Sequence, residues 1–350
     1  MAASPLTPRA LRTRALARSL FAPTTLAAAI DRLGFVQADP IRSPARAQDL
    51  ILRHRVLGYR AGDLERDYVS LDVEEDYLYA YGFVARRVWN LLHPRVHARM
   101  GAFERKVLDT VRRLGEVHPA ALEPHLGRKR VINAWGGYSK ATTQALEDLH
   151  YRGLVRIARR EAGIRIYKPS SPPGESASAA DRLRELVMIT ARIFAPAPEK
   201  SLQAVIARYR HLGSARGMIA ALVASGELRR EPIDGMSYVW PAADDLDTEA
   251  PRRVRFLAPF DPVVWDRVRF EHLWGWAYRF EAYTPIAKRI RGYYAMPMFW
   301  GNDCVGWANA SAGARRVEVK VGFAGKRPTE AAFTRELDAE IARLDEFLRS

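Results

Sequence analysis

Gln37 and Asp39 place one side-chain amide and one carboxylate two residues apart, within Gly34-Phe35-Val36-Gln37-Ala38-Asp39-Pro40. A carboxylate can take a proton and stabilise a neighbouring cation, and an amide both accepts and donates hydrogen bonds. Together they have the means to hold one water molecule and polarise it. The same spacing also fits a plain turn, because Asp-Pro after an extended Val-Gln favours turns and N-caps. The elements that position the triplet must decide between the two.

Upstream, residues 6–33 read as helices, with Leu26, Ile30 and Leu33 at helical spacing and Gly34 as the stop. Residues 43–60 read as a second helical stretch carrying Arg46, Arg53, His54 and Arg55, a basic set expected to face a polyanion. Residues 76–114 read as mainly helical with a break at His93-Pro94, and Glu74, Glu75 and Asp76 as its solvated start.

Charge suggests what the surface meets. The chain has 350 residues, a net charge of +15 and a pI near 10.1, which point to a polyanionic partner rather than to a fold. An Arg-rich but ordinary protein would share that total, so the distribution matters more. Residues 1–60 hold ten Arg against three acids, and residues 128–168 hold ten Lys or Arg against three acids, while residues 61–82 carry seven acids against Arg66. Two basic segments around an acidic one suggest surfaces with separate tasks.

Within 117–169 the order is a short helix, the basic loop Arg128-Lys129-Arg130, a Gly136-Gly137 turn, a helix capped by Ser139, and two strands around Arg159-Arg160-Glu161-Ala162-Gly163. That order predicts a winged helix, whose second helix usually enters the major groove. Lys140, Thr143, Gln144 and Arg152 fall on its outer face, and Arg159, Arg160 and Arg165 on the wing, within reach of phosphates. Used as a protein-binding module, the same motif would not need such charge.

A linker at 170–180 precedes a similar unit at 181–243, which has no basic excess and reads as a structural arm. Beyond Asp244-Asp245-Leu246-Asp247, residues 252–350 become β-rich, with strands expected at 254–257, 278–283, 293–300, 304–309 and 316–322 before a terminal helix. The expected class is α+β, mainly helical, with tandem winged-helix motifs: a helical or winged-helix unit over 1–116, a basic winged helix over 117–169 and a winged-helix-like unit over 181–243, then a small barrel or curled sheet. One cysteine, Cys304, excludes a disulfide framework and a Cys-based zinc site and fits a reducing cytosol. No apolar run reaches the ~20 residues of a membrane span. His93, His97, His118 and His125 lack metal-ligand spacing, and no phosphate-binding glycine loop is present. No metal, ATP or other cofactor is expected.

The triplet, with Ala258-Pro259-Phe260-Asp261-Pro262-Val263-Val264-Trp265-Asp266-Arg267 and Tyr278-Arg279-Phe280-Glu281-Ala282-Tyr283-Thr284-Pro285, resembles the YcaQ/AlkZ-type winged-helix DNA glycosylases over nearly the whole chain. The resemblance extends through Ala287-Lys288-Arg289 and Gly292-Tyr293-Tyr294. It implies a DNA channel, removal of N7-alkylated purines or unhooking of interstrand crosslinks, and a Gln-x-Asp form of the catalytic signature at Gln37 and Asp39. Pro40-Ile41-Arg42-Ser43-Pro44 is richer in proline than that pattern.

An N7-alkylated guanine already carries positive charge, so its departure needs no general acid, unlike an ordinary glycoside. Asp39 would then stabilise the sugar cation and take the water's proton while Gln37 holds the water. No lysine adjoins the triplet, which argues against a Schiff-base lyase step. Glu281 reads as a structural ion-pair partner of Lys288 or Arg289. The expected partner is double-stranded DNA bearing alkylated or crosslinked purines, with no membrane and no obligate protein partner, in the bacterial cytosol around the nucleoid. The rival readings are a winged-helix transcriptional regulator and a binder of damaged DNA without catalysis.

Overall fold

Helix-capping chemistry delivers the chain to the triplet. In the structure, a computed structural model describing residues 6–95, 99–132, 136–171, 177–244, 251–313 and 316–349, Thr7 caps α1 (Pro8–Ser19) by accepting Ala10 N–H, and Thr25 caps α2 (Leu26–Leu33) through Ala28 N–H. Gly34, at φ +74°, ends α2 in the left-handed conformation that L side chains avoid, and turns the chain into β1 (Phe35–Gln37). Next come α3 (Ala47–Leu52), α4 (Asp63–Asp67), β2 (Val73–Tyr77) and β3 (Tyr81–Ala85), then α5 (Arg86–Leu92) and α6 (Ala102–Leu114). The three strands form an antiparallel sheet in the order β1-β3-β2, with Gln37 opposite Gly82. Any Cβ at position 82 would lie 2.3 Å from the Val36 carbonyl oxygen, so only glycine lets β1 approach.

This sheet corrects the sequence reading. The helix expected at 43–60 is confined to α3, and Glu74, Glu75 and Asp76 lie buried on β2 rather than at a solvated helix start. Carboxylates survive burial only when paired, and here their partners arrive from distant elements.

The middle of the chain follows its predicted order. After a 3-10 turn at Pro119–Leu122 come α7 (Glu123–Leu126), the paired β4 (Arg130–Ile132) and β5 (Tyr138–Lys140), α8 (Ala141–Tyr151), and the hairpin of β6 (Val155–Glu161) and β7 (Ile164–Pro169). Ala145, Leu146 and Leu149 of α8 are buried as expected, but the helix starts after Lys140, so Ser139 sits on β5 and does not cap it. The next unit comprises α9 (Ala179–Ile193), β8 (Ala197–Pro198), α10 (Glu199–Ile206), α11 (Ala215–Ala224), β9 (Leu228–Ile233) and β10 (Met236–Pro241). Its β9–β10 turn, Asp234-Gly235, has positive φ at both positions, as a tight two-residue hairpin requires. Residues 172–176 of the expected linker, together with Asp245, Leu246, Asp247 and His97, lie outside the described residues.

The C-terminal part holds β11 (Val254–Phe256), α12 (Pro262–Trp265), α13 (Arg267–Trp274), β12 (Met296–Trp300), β13 (Asp303–Ala312), β14 (Val317–Phe323) and α14 (Ala331–Leu348). Its strands make an open antiparallel sheet in the order β11-β12-β13-β14; no closed barrel forms among the described residues. The strand expected at 278–283 is absent, because Glu281 turns inward to bind backbone N–H groups instead of continuing an alternation.

Alternate residues of β1 enter different cores. Val36 joins an apolar cluster that runs from Ile30 and Phe83 through Leu146 and Val155 to Met298 and Phe333. Phe35 joins another, with Val84, Leu186, Val187 and Val239. Gln37 thus sits at the end of a strand clamped on both faces.

Three successive side chains fasten this assembly to the C-terminal part. Arg53 reaches Glu340 and the Phe256 carbonyl, and His54 Nε2 lies 2.9 Å from the same carbonyl. Arg55, fully buried, donates to both Asp261 oxygens at 2.8 and 3.0 Å, to the Ile51 and Ser19 carbonyls and to Ser19 Oγ. Every guanidinium N–H is thereby used. Removing one member of such a buried pair typically costs about 3–5 kcal/mol, because the other charge is stranded. Asp261→Ala should therefore lower stability by about that amount in urea unfolding; a loss below ~1 kcal/mol would show that the pair holds little.

Candidate active site

The triplet makes the local turn that its spacing allows and leaves other polar atoms of the same two residues without protein partners among the described residues. Ala38 N–H donates to the Tyr81 carbonyl at 3.0 Å, so β-pairing runs one residue past Gln37. Asp39 is the first residue to leave the sheet. Its Oδ1 accepts Ile41 N–H at 2.9 Å, making the local turn, and Oδ2 has no protein partner among the described residues. The Gln37 Oε1 is buried and makes no hydrogen bond to protein. Half-buried, Asp39 has its pKa pushed above the usual carboxylate value by desolvation, which outweighs the Ile41 hydrogen bond. An unpartnered acceptor amide and a more basic carboxylate thus lie two residues apart at one strand end.

Tyr294, 1% exposed, lies close enough that Asp39's charge adds to burial in raising its phenol, and its hydroxyl has no partner. In the sequence, Tyr294 stands out only within Gly292-Tyr293-Tyr294, and nothing there gives it a role. A groove of about 600 Å³ runs from Ser43, four residues beyond Asp39, past Tyr294 to Arg289, Arg291, Trp307 and Lys320. Aromatic and cationic walls of that kind suit a nucleic-acid strand.

The proposed DNA contacts divide sharply. Arg53, His54 and Arg55 are corrected, since all three are spent on the C-terminal part, and burial beside Arg53 holds His54 well below its ordinary pKa, as the neutral ring. Arg46 pairs with Glu65. Arg160 faces inward, with Nε and Nη2 at 2.9 and 2.5 Å from Glu75, and Arg165 lies 4.4 Å over the Tyr81 ring and 3.9 Å from Glu75. Burial opposes Glu75's charge, but Arg160 outweighs it and holds the carboxyl below its usual range. Asp76, similarly opposed by burial, is lowered to about 2 by His93 and Arg95. Within the acidic segment, Glu74 and Glu75 are thus the counter-charge of the inner wing, while Asp63, Asp67 and Asp72 stay at the surface with Arg66 and Arg86.

What stays outside is narrower. Arg128, Lys129, Arg130, Lys140 and Gln144 are exposed around the start of α8, with Thr143 half-buried beside them. Glu123 pairs with both Arg128 and Lys140. Arg152 pairs with Asp148 at 2.6 Å, and Arg159 lies between Glu116 and Glu161. Glu281 pairs with neither Lys288 nor Arg289; its nearest cation is Arg291, 3.5 Å away. Among the described residues no group of three or more His, Cys, Asp or Glu could hold a metal, and no helix is long and apolar enough to cross a membrane.

The family model "DNA glycosylase AlkZ-like" matches residues 30–347. The chain belongs to the AlkZ-like DNA glycosylases. The structure of the Streptomyces sahachiroi DNA glycosylase AlkZ superposes with a TM-score of 0.65 at 12% identity, covering 98% of this chain and 97% of that one, which shows a shared fold. Membership makes this a DNA glycosylase and DNA its substrate.

The raised Asp39 carboxyl has a consequence for stability. Its proton is held more tightly in the folded chain than in the unfolded one, so the ionised form opposes folding once pH exceeds the folded pKa. Asp39→Asn should therefore be at least as heat-stable as the parent at pH 7. The difference should shrink as pH falls through the folded value, and a carboxyl NMR titration should place Asp39 above the ordinary ~3.9. A midpoint at or below that value would contradict the desolvated site.

Proposed function

We propose that this glycosylase hydrolyses the N-glycosidic bond of N7-alkylated purines in double-stranded DNA, with action on interstrand crosslinks, and leaves an abasic site. The reading rests on one observation: a half-buried carboxylate and an unpartnered amide oxygen at the end of β1. With a cationic base as leaving group, the barrier lies in the oxocarbenium-like sugar. Asp39 stabilises that cation and accepts the proton of the attacking water; Gln37 orients the water through Oε1. Desolvation strengthens both effects, because the carboxylate is more basic and its field less screened.

In the same proposal, residues 1–116, 117–169 and 181–243 serve as winged-helix units and 252–350 as the β-rich wall. α8 enters the major groove with Thr143 and Gln144 towards base edges, while Arg128, Lys129, Arg130 and Lys140 meet phosphates. Arg128, Lys140, Arg152 and Arg159 act only by exchanging an acid partner for phosphate. Water, not an amine, captures the sugar, so the strand stays unbroken.

The test is release of free base from a duplex containing one N7-methylguanine, scored as an alkali-labile site, with a crosslinked duplex in parallel. Asp39→Asn should lose about 10²–10⁴-fold in rate while binding the same duplex within about threefold, as loss of a general base predicts. No release by the wild type from any N7 adduct, with binding intact, would overturn the substrate assignment. Equal rates in the two proteins would remove Asp39 from the chemistry.

A further inference from the structure

Five arginines against one acid line a cavity of about 650 Å³ between the N-terminal helices and the C-terminal sheet: Arg32, Arg53, Arg253, Arg255 and Arg343 against Glu340. Part of its wall is apolar, formed by Leu20, Phe21 and Val254. It shares no lining residue with the groove beside Asp39. The cavity has room for a small ligand, and a cleft lined by one sign of charge concentrates ions of the opposite sign.

Glu340 cannot neutralise this set, because its oxygens are already taken. Oε1 accepts Phe256 N–H at 3.0 Å and an Arg53 N–H, and Oε2 accepts Arg343 Nε–H at 3.0 Å. Arg53 is held there with its side chain 4% exposed, and its Nε has no hydrogen-bond partner among the described residues. Three arginines are left with no acid among the described residues. Arg32 lies 4.2 Å over the Phe21 ring, Arg253 is exposed, and Arg255 donates to the Pro251 carbonyl at 3.1 Å. An exposed arginine needs no partner, but Arg255 gives up part of its hydration without gaining a carboxylate, and buried charges are ordinarily paired. Burial pulls its guanidinium down to about 10, with Arg253 and Arg343 adding to the fall and Glu340 opposing it. The fold therefore holds like charges together with no protein group to offset them.

Guanidiniums gathered this way match phosphoryl oxygens, which accept the paired N–H groups of each fork and remove the repulsion between neighbouring cations. Three unpaired cations call for more than one negative charge. We infer that this cavity is a second anion site of the protein, separate from the groove, and takes a ligand bearing two or more phosphoryl groups, held by Arg253 and Arg255 of the C-terminal part and Arg32 of α2. A free oligophosphate and a DNA backbone both offer that chemistry. Because the ligand bridges α2 and β11, it reinforces the contact made by Arg53, His54 and Arg55, and its binding stabilises the folded chain. The inference depends neither on the lesion nor on catalysis at Asp39.

The probe is inorganic tripolyphosphate, titrated calorimetrically into the full chain at fixed ionic strength, with thermal unfolding measured in parallel. The wild type should bind it at a single site and gain several degrees in Tm at saturation. The pair Arg253→Gln and Arg255→Gln should weaken binding at least about tenfold and lose that gain. Without ligand the same pair should unfold no earlier than the wild type, because it removes an unpaired, desolvated charge. Should it unfold earlier, Arg253→Gln alone, at an exposed position, decides, and should still weaken binding. Arg216→Gln with Arg229→Gln, two exposed arginines outside the cavity, should bind like the wild type. An undamaged duplex identifies the source. Weaker duplex binding by the cavity pair shows that DNA phosphates fill the site; tripolyphosphate binding beside an unchanged duplex affinity shows a free oligophosphate. No tripolyphosphate binding together with unchanged duplex affinity would overturn the site, as would equal weakening by the two pairs.

Discussion

Arg55 and Asp261, both fully buried and both fully hydrogen-bonded, set the relation between the two ends of this chain. A buried ion pair adds little net stability, because desolvation offsets attraction, but it tolerates almost no misalignment. Here it fixes α3 against the start of α12, where Asp261 also accepts Val263 N–H at 3.0 Å. Arg53 and His54 extend the same contact to β11 and α14. The result places the segment after Asp39 against the segment before β12, and so brings Asp39 near Tyr294. Without that docking the triplet would be a polar turn on an N-terminal domain.

Net charge gives a misleading picture of the DNA surface. Much of the basic excess in 128–168 is internal, since Arg156, Arg160 and Arg165 answer Glu74 and Glu75 of β2. Glu74 is raised to about 7 by burial, although Arg86 and Arg156 both pair with it. The surface proposed to meet phosphates is correspondingly compact: the start of α8 and the basic loop before it.

Local signals were legible in the sequence. Gly34 as a helix stop, the Asp234-Gly235 turn, the register of α8 and the extent of α14 each depend on residues a few positions apart. Glu74, Glu75 and Asp76 are not legible as buried, because nothing in their own stretch shows that Arg156 and Arg160 will pair with the two glutamates or His93 and Arg95 with Asp76. Arg53, His54 and Arg55 were misread for the same reason: a cation's sequence gives its charge but not its partner. The segment 278–283 alternates like a strand, yet Glu281 serves three N–H groups that no strand would leave free. The candidate site itself was legible as residue types, while its desolvation, the unpartnered amide and the neighbouring phenol emerged only from packing.

Clamping Phe35 and Val36 into separate cores lets the fold tolerate a carboxylate held against its solvation preference at the next exposed position. The central claim is that this carboxylate faces the cationic sugar of the transition state. The most direct measurement is the affinity for duplex DNA bearing a pyrrolidine abasic analogue, whose ring nitrogen carries the positive charge, relative to the neutral tetrahydrofuran analogue. The wild type should prefer the cation by at least about tenfold, or ~1.4 kcal/mol, and Asp39→Asn should show no preference. Equal affinity for the two analogues in the wild type, or a preference that survives Asp39→Asn, would contradict the account.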